Sequence, residues 1–265
     1  MLTIAISADR GIPKTQLDAL AKQTSLPLLN QHIQADYLLH ITTDYLELRK
    51  TNHLEKKPKA ESIHIDFLAG KANHRRLHGG GKGQDLAKAI GLHKIKEPTV
   101  LDLTAGMGGD AFVLATLGAD VTLIERNSIT HALLNDALNR AKLSADDELL
   151  NIIGRMKLKN EDAQQSLEAL EKLDKENLPD VIYIDPMFPA RSKSAQVKKE
   201  MQFFHDIVGA DEDSEALLLM SLKLAKKRIV VKRPRLAEKL TEAVEPAFEL
   251  SGKSTRYDVY LPINT

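Results

Sequence analysis

Apolar residues along this chain fall in short blocks whose repeat switches between two residues and about 3.6, the pattern of strands alternating with helices. The sharpest block is Val100 to Asn127, VLDLTAGMGGDAFVLATLGADVTLIERN. Val100 to Leu103 is a short apolar run of strand type, Thr104 to Asp110 is a turn holding three glycines, and Ala111 to Leu117 carries apolar residues at helical spacing. Gly118 closes that helix and Val121 to Ile124 resumes strand chemistry.

The rest of the chain is arranged around this unit. Before it, Thr3 to Ser7 reads as a strand, Thr15 to Gln23 as a short helix capped by Thr15, and Tyr37 to Arg49 as two strands joined near Thr42 to Asp44. The charged stretch Thr51 to Glu61 contains Pro58 and marks a boundary, so residues 1–60 are expected to form a small N-terminal α/β subdomain and residues 61–265 the main domain. Ile63 to Phe67 alternates as a strand and Asp85 to Ile90 is helical. After the central unit come a helix over Ile129 to Lys142, a third strand over Lys157 to Asp162, and an apolar strand over Val181 to Ile184. Two final strands, Phe248 to Lys253 and Arg256 to Leu261, meet at Gly252. Strands alternating with helices predict an α/β fold.

Thirty-seven basic side chains balance thirty-seven acidic ones, so overall charge points to no polyanion and only local clustering can. There is no cysteine, which excludes disulfides and thiolate metal sites. MLTIAISADR lacks a basic segment before its brief apolar run, and no stretch approaches the ~20 apolar residues that span a bilayer, so a soluble cytoplasmic protein is expected.

Glycine suits the Thr104–Asp110 turn because it accepts positive φ and lets a ligand approach the backbone. Gly106, Gly108 and Gly109 can floor a cofactor site, and Glu125, nineteen positions beyond Gly106, stands where a βαβ unit puts a carboxylate on a ribose. Gly106, Gly108 and Ala111 also satisfy the dinucleotide pattern G-x-G-x-x-G/A. Asp102 and Asp110 favour S-adenosylmethionine instead: a carboxylate at the helix start repels pyrophosphate and suits an ammonium and a sulfonium. A purely structural turn is the plain alternative.

Two decoys lie upstream. GGGKG, Gly79 to Gly83, resembles a phosphate loop, but Gly83 follows Lys82 where a magnesium-binding Ser or Thr is required. His74 and His78 have the spacing of zinc ligands, but Arg75 and Arg76 lie between them where a metalloprotease has its glutamate, so no metal site is expected. This basic, glycine-rich segment closes over a cofactor, meets RNA phosphates, or is a solvated loop.

The reacting loop is Asp185-Pro186-Met187-Phe188-Pro189, stiffened by two prolines at the end of a buried strand. An acid, a proline and an aromatic in this order resemble the loops of methyltransferases acting on exocyclic amino groups of bases. Asp185 and the Pro186 carbonyl would accept the two N–H bonds of the amine, and Phe188 would stack on the base. Around this loop, Arg191 to Lys199 supplies four cations and Lys223 to Arg235 seven. Arg75, Arg76, Lys193, Lys198, Lys199, Lys232 and Arg233 are the candidate RNA-phosphate contacts.

HRRLHGGGKGQ, DLTAGMGGDAFVLA, LIERN, DPMFP, KSAQVKKEM and RIVVKRP, in this order, resemble the ribosomal RNA small subunit methyltransferase J family, which methylates N2 of a guanine in small-subunit (16S) ribosomal RNA. The similarity runs from about Leu46 to Tyr260. It implies a class I S-adenosylmethionine-dependent methyltransferase, Rossmann-like with a seven-stranded, mostly parallel sheet. By position it implies cofactor contacts at Gly109, Asp110, Glu125, Arg126, Asp162, Ala163 and Asp185. It also implies a small-subunit ribosomal RNA or assembled-subunit partner. Rival readings are an adenine-N6 methyltransferase, a nucleotide-linked oxidoreductase, and a non-enzymatic RNA-binding module.

Overall fold

A computed structural model of the protein describes residues 2–51, 62–69, 81–186 and 213–263. Two sheets organise it. In the smaller, β1 (Ile4–Ala8), β2 (Tyr37–Ile41), β3 (Leu46–Lys50) and β4 (Ser62–Ile63) lie in chain order, with β1 and β2 parallel and the rest antiparallel. The larger has seven strands in the order β10 (Phe248–Ser251), β11 (Thr255–Tyr260), β9 (Arg228–Pro234), β8 (Val181–Ile184), β5 (Thr99–Asp102), β6 (Asp120–Ile124) and β7 (Met156–Lys159). Every strand of that sheet runs one way except β11, so the mostly parallel sheet expected is the one found.

Burial on both faces explains why the central strands read as unbroken apolar runs. Val181 and Tyr183 of β8 pack with Phe112, Leu133 and Ile153 on one side, while Ile182 and Ile184 pack with Leu167, Leu217 and Leu218 on the other. The small sheet joins the first of these cores through Ile6, Leu39 and Leu48. Helix Ser128–Ala141 is its seat: the Leu46 N–H donates to the Asp136 carboxylate at 3.1 Å, and Ser128 Oγ donates to the Thr24 carbonyl at 3.3 Å.

Local details depart from the sequence expectation where side chains compete for the backbone. Thr15 lies inside helix Lys14–Thr24, whose N-cap is Pro13 and which has no side-chain cap. Of the strand expected over Ile63 to Phe67 only Ile63 pairs, because Asp66 turns the chain by accepting the Leu68 N–H at 2.8 Å and Arg140 takes the Ile65 carbonyl. Pairing of β4 with β3 also draws residues beyond position 60 into the small sheet. Helices Asp147–Gly154, Ala163–Leu170 and Ser214–Ser221 are absent from the sequence expectation: each has eight residues and, unlike helix Gly109–Thr116 of the same length, none is bracketed by glycines at both ends.

The chain fills β5, β6 and β7 outward and then returns to β8 on the other side of β5. That reversal opens a crevice at the carboxyl ends of β5 and β8, the place where open α/β sheets bind ligands. The glycine turn after β5 lines it, with Gly106 at φ +53° and Gly108 at φ +72°. A Cβ on Gly108 would lie 2.7 Å from Leu134 Cδ1 and 3.4 Å from the ring of Phe67, which stacks on Phe112 at 4.8 Å. Gly108→Ala is therefore expected to lower the unfolding free energy in urea by about 1–3 kcal/mol. Gly109→Ala, whose Cβ would meet nothing within 4 Å, should change it by less than about 0.5 kcal/mol.

Candidate active site

Glu125 directly follows β6 with only 5 % of its surface exposed, and its carboxylate is fixed by the backbone it faces. The Gly106 N–H donates to Oε2 at 2.9 Å and the Asn127 N–H to Oε1 at 2.7 Å, while Asn160 Nδ2 donates to the Glu125 carbonyl at 2.8 Å. One carboxylate thus ties the glycine turn to the next strand. A carboxylate offers about four acceptor sites, and these two backbone N–H groups take one on each oxygen.

Three further carboxylates converge at the crevice. Asp102 ends β5, 2 % exposed, and accepts the Thr104 N–H at 3.0 Å. Asp110 lies in the first turn of helix Gly109–Thr116, and Asp185 directly follows β8. The Asp185 N–H donates to Thr104 Oγ1 at 2.6 Å, which ties the start of the reacting loop to the glycine turn. Lys232, near the carboxyl end of β9, donates to Asp110 Oδ2 and to Asp185 Oδ2, each at 2.7 Å, and Tyr183 Oη donates to Asp110 Oδ2 at 2.8 Å.

The charges follow from this packing. Burial pushes the Asp102 carboxyl up to about 8, opposed by the Thr104 N–H and reinforced by Asp110 and Asp185. Burial alone would lower the Lys232 ammonium, but Asp185 and Asp110 outweigh it and raise it, so the group stays charged. Burial, then Asp110 and Asp185, holds the Tyr183 phenol well above its usual range, as a neutral donor. Near neutral pH Asp102 keeps its proton, and among the described residues the cluster of Asp110, Asp185 and Lys232 sets two carboxylates against one ammonium, one net negative charge beside Glu125.

The sequence model of the family described as "Putative SAM-dependent methyltransferase" matches residues 19–262. The chain belongs to this family. A Cellvibrio japonicus protein named ribosomal RNA small subunit methyltransferase J is 46 % identical over 249 residues, covering 91 % of each chain. One of the same name from Coxiella burnetii is 45 % identical over 261 residues, covering 98 % of this chain and 97 % of its own. The crystal structure of a SAM-dependent methyltransferase from Neisseria gonorrhoeae shares 34 % identity and a TM-score of 0.74 over 99 % of this chain and 97 % of that one. The resemblance read from the motifs and the class I methyltransferase fold both hold, and the cofactor is S-adenosylmethionine.

The residues present suit that cofactor. Gly109 is exposed on the turn, with open space where a Cβ would project. The net negative charge of the acid cluster favours an ammonium and a sulfonium, and it would repel the pyrophosphate that an oxidoreductase's dinucleotide places at this helix start. Of the other positions expected at the cofactor, Asp162 caps helix Ala163–Leu170, accepting the Gln164 and Gln165 N–H groups at 2.8 and 3.3 Å, and Ala163 is buried below it. Arg126 is exposed after β6 and pairs with Asp213 at 2.8 Å. Pro186 is buried beside Asp185.

The cations fall out differently from the expectation of a phosphate-tracking surface around the reacting loop. Parallel pairing sets Arg228 opposite Val181, so Lys223 to Arg228 lie toward the amino end of the sheet, away from Asp185. Arg233 is 7 % exposed and gives its guanidinium to the Glu238 carbonyl, at 3.0 Å from Nε and 2.6 Å from Nη2. Lys232 faces carboxylates. Phe188, Arg75, Arg76, Lys193, Lys198 and Lys199 lie outside the described residues. Sequence reasoning missed Thr104, Tyr183 and the placement of Lys232 in the crevice; the last was signalled only by a lysine ending the apolar run of RIVVK.

The proton on Asp102 makes stability depend on pH. Its carboxyl titrates near 3.8 when unfolded and about 8 when folded, so the folded state binds the extra proton between those values. Its contribution is full below about pH 4, falls as pH rises, and is gone above about pH 8. Urea unfolding at pH 5, 6, 7 and 8 should find Asp102→Asn gaining stability relative to wild type with rising pH, by up to about 1.4 kcal/mol per unit.

Proposed function

We propose that this protein methylates the exocyclic N2 of a guanine in small-subunit ribosomal RNA. The reading is supported by the names of its relatives and by one placement: Asp185, the first residue of a proline-stiffened loop, stands at the sheet crevice with its carboxylate linked through Lys232 to Asp110 of the cofactor turn.

The cofactor supplies a methyl group on a positively charged sulfur. The rest is done by the chain. A guanine amino nitrogen shares its lone pair with the ring and is a poor nucleophile until its two N–H bonds are held by acceptors that favour a pyramidal nitrogen. The Asp185 carboxylate takes one N–H and the Pro186 carbonyl the other, while Phe188 stacks on the base and keeps it in line. Positive charge grows on that nitrogen as its bond to the methyl carbon forms and the carbon–sulfur bond breaks; the anionic Asp185 beside it stabilises the change without prior deprotonation, and the surplus amine proton then leaves to the Asp185 carboxylate or to water. Anchoring of Asp185 through Thr104 Oγ1 and Lys232 keeps these acceptors in place before the base arrives. Arg75, Arg76, Lys193, Lys198 and Lys199 hold the RNA backbone as phosphate contacts, with an affinity that falls as salt rises.

Labelled methyl donor supplied to small subunits from a strain lacking the gene, followed by digestion, should yield N2-methylguanosine. N6-methyladenosine would establish the adenine reading instead. Asp185→Ala should slow transfer on the order of a hundredfold or more at saturating RNA. A variant that kept full biological function with no transfer would mark a binding module rather than an enzyme.

A further inference from the structure

Lys232 touches both halves of the crevice at once. Its ammonium lies 2.7 Å from Asp110 on the cofactor turn and 2.7 Å from Asp185 on the reacting loop, with 26 % of its side chain exposed. Strand pairing sets it there: Ile184 of β8 stands opposite Val231 of β9, so the next residue of each strand is Asp185 and Lys232, while Tyr257 of β11 flanks the lysine on the other side. A lysine ammonium has three N–H donors. Two of them serve carboxylates here, and two negative charges beside it leave no positive potential to offer a phosphate. That local balance argues against a backbone contact and for a role inside the site.

We propose that Lys232 is a positioning residue for methyl transfer: it fixes the Asp185 carboxylate toward the incoming amine and couples that placement to the cofactor turn through Asp110. The inference rests on the reading of Asp185 given above. Without the ammonium, the two carboxylates at the crevice repel each other, and Asp185 keeps its backbone bond to Thr104 but loses the side-chain bond that links it to Asp110. Donor binding tests the Asp110 end of the link and transfer rate tests the Asp185 end.

The test compares Lys232→Met, which keeps the aliphatic stem, with Asp185→Asn and with the double variant, in single-turnover transfer at saturating RNA and donor. Lys232→Met is expected to lose ten- to a hundredfold in rate with RNA affinity and its salt dependence unchanged. The double variant should be no slower than Asp185→Asn alone, within about twofold, because the lysine acts through that carboxylate. Far-UV circular dichroism and a cooperative urea transition verify that each variant is folded, and Lys232→Gln, expected to show the same loss, replaces Lys232→Met if the latter does not fold. A Lys232→Met rate within twofold of wild type overturns the proposal, as does a double variant whose loss is the product of the two single losses. A defect confined to RNA affinity, with a shallower salt dependence, makes Lys232 a phosphate contact and also overturns it. Should Asp185→Asn itself keep the wild-type rate, the assignment of Asp185 fails; should only Lys232→Met keep it, that assignment stands and the positioning role alone falls.

Discussion

Like charges crowded at the end of a sheet repel, and in this protein the repulsion is relieved in two ways that shape the whole crevice. Burial keeps a proton on Asp102, and one ammonium, Lys232, lies between Asp110 and Asp185. Neither device works without the other elements in register. β5 must end at Asp102, β8 must run parallel beside it and deliver Asp185, and β9 must bring Lys232 alongside. The residual negative charge then matches a cofactor that carries an ammonium and a sulfonium, and it disfavours the phosphates bound by other folds of similar topology.

The glycine turn serves this arrangement as a mechanical part. Two positive-φ residues, Gly106 and Gly108, let the chain leave β5 and enter a helix within a few residues, and Leu134 and Phe67 close in on Gly108 where a side chain would have stood. Glu125 holds the turn from the end of the neighbouring strand through the Gly106 N–H, so the glycine turn and this carboxylate form one unit. Thr104, in that same turn, takes the Asp185 N–H. The glycine turn and Asp185 are therefore joined by backbone as well as by charge.

The small N-terminal sheet contributes from behind. It seats on helix Ser128–Ala141 by apolar contact and by Asp136, and the residues that follow β4 carry Phe67 under the glycine turn. Its packing thus reaches the floor of the crevice without supplying any of the carboxylates there.

Much of this was legible in the sequence because it depends on local chemistry. The period of apolar residues marked β5, β6 and β8, the glycines marked the turn, and Asp185-Pro186 marked the strand end, since backbone φ and turn chemistry are set by neighbours along the chain and a strand's burial leaves its imprint in the run of apolar residues. Three eight-residue helices escaped because no glycines bracket them at both ends as they do helix Gly109–Thr116, and the aborted strand after Ile63 because Arg140, far away in sequence, takes the Ile65 carbonyl. The role of the cations could not be read at all. Lys232, Arg233 and Arg228 look alike in one basic run, yet strand pairing sends Arg228 to the amino end of the sheet, buries Arg233 against a carbonyl and places Lys232 between two aspartates. Composition fixes how many charges a chain has; only the fold decides which of them meet, because Coulomb energy depends on distances that tertiary packing sets.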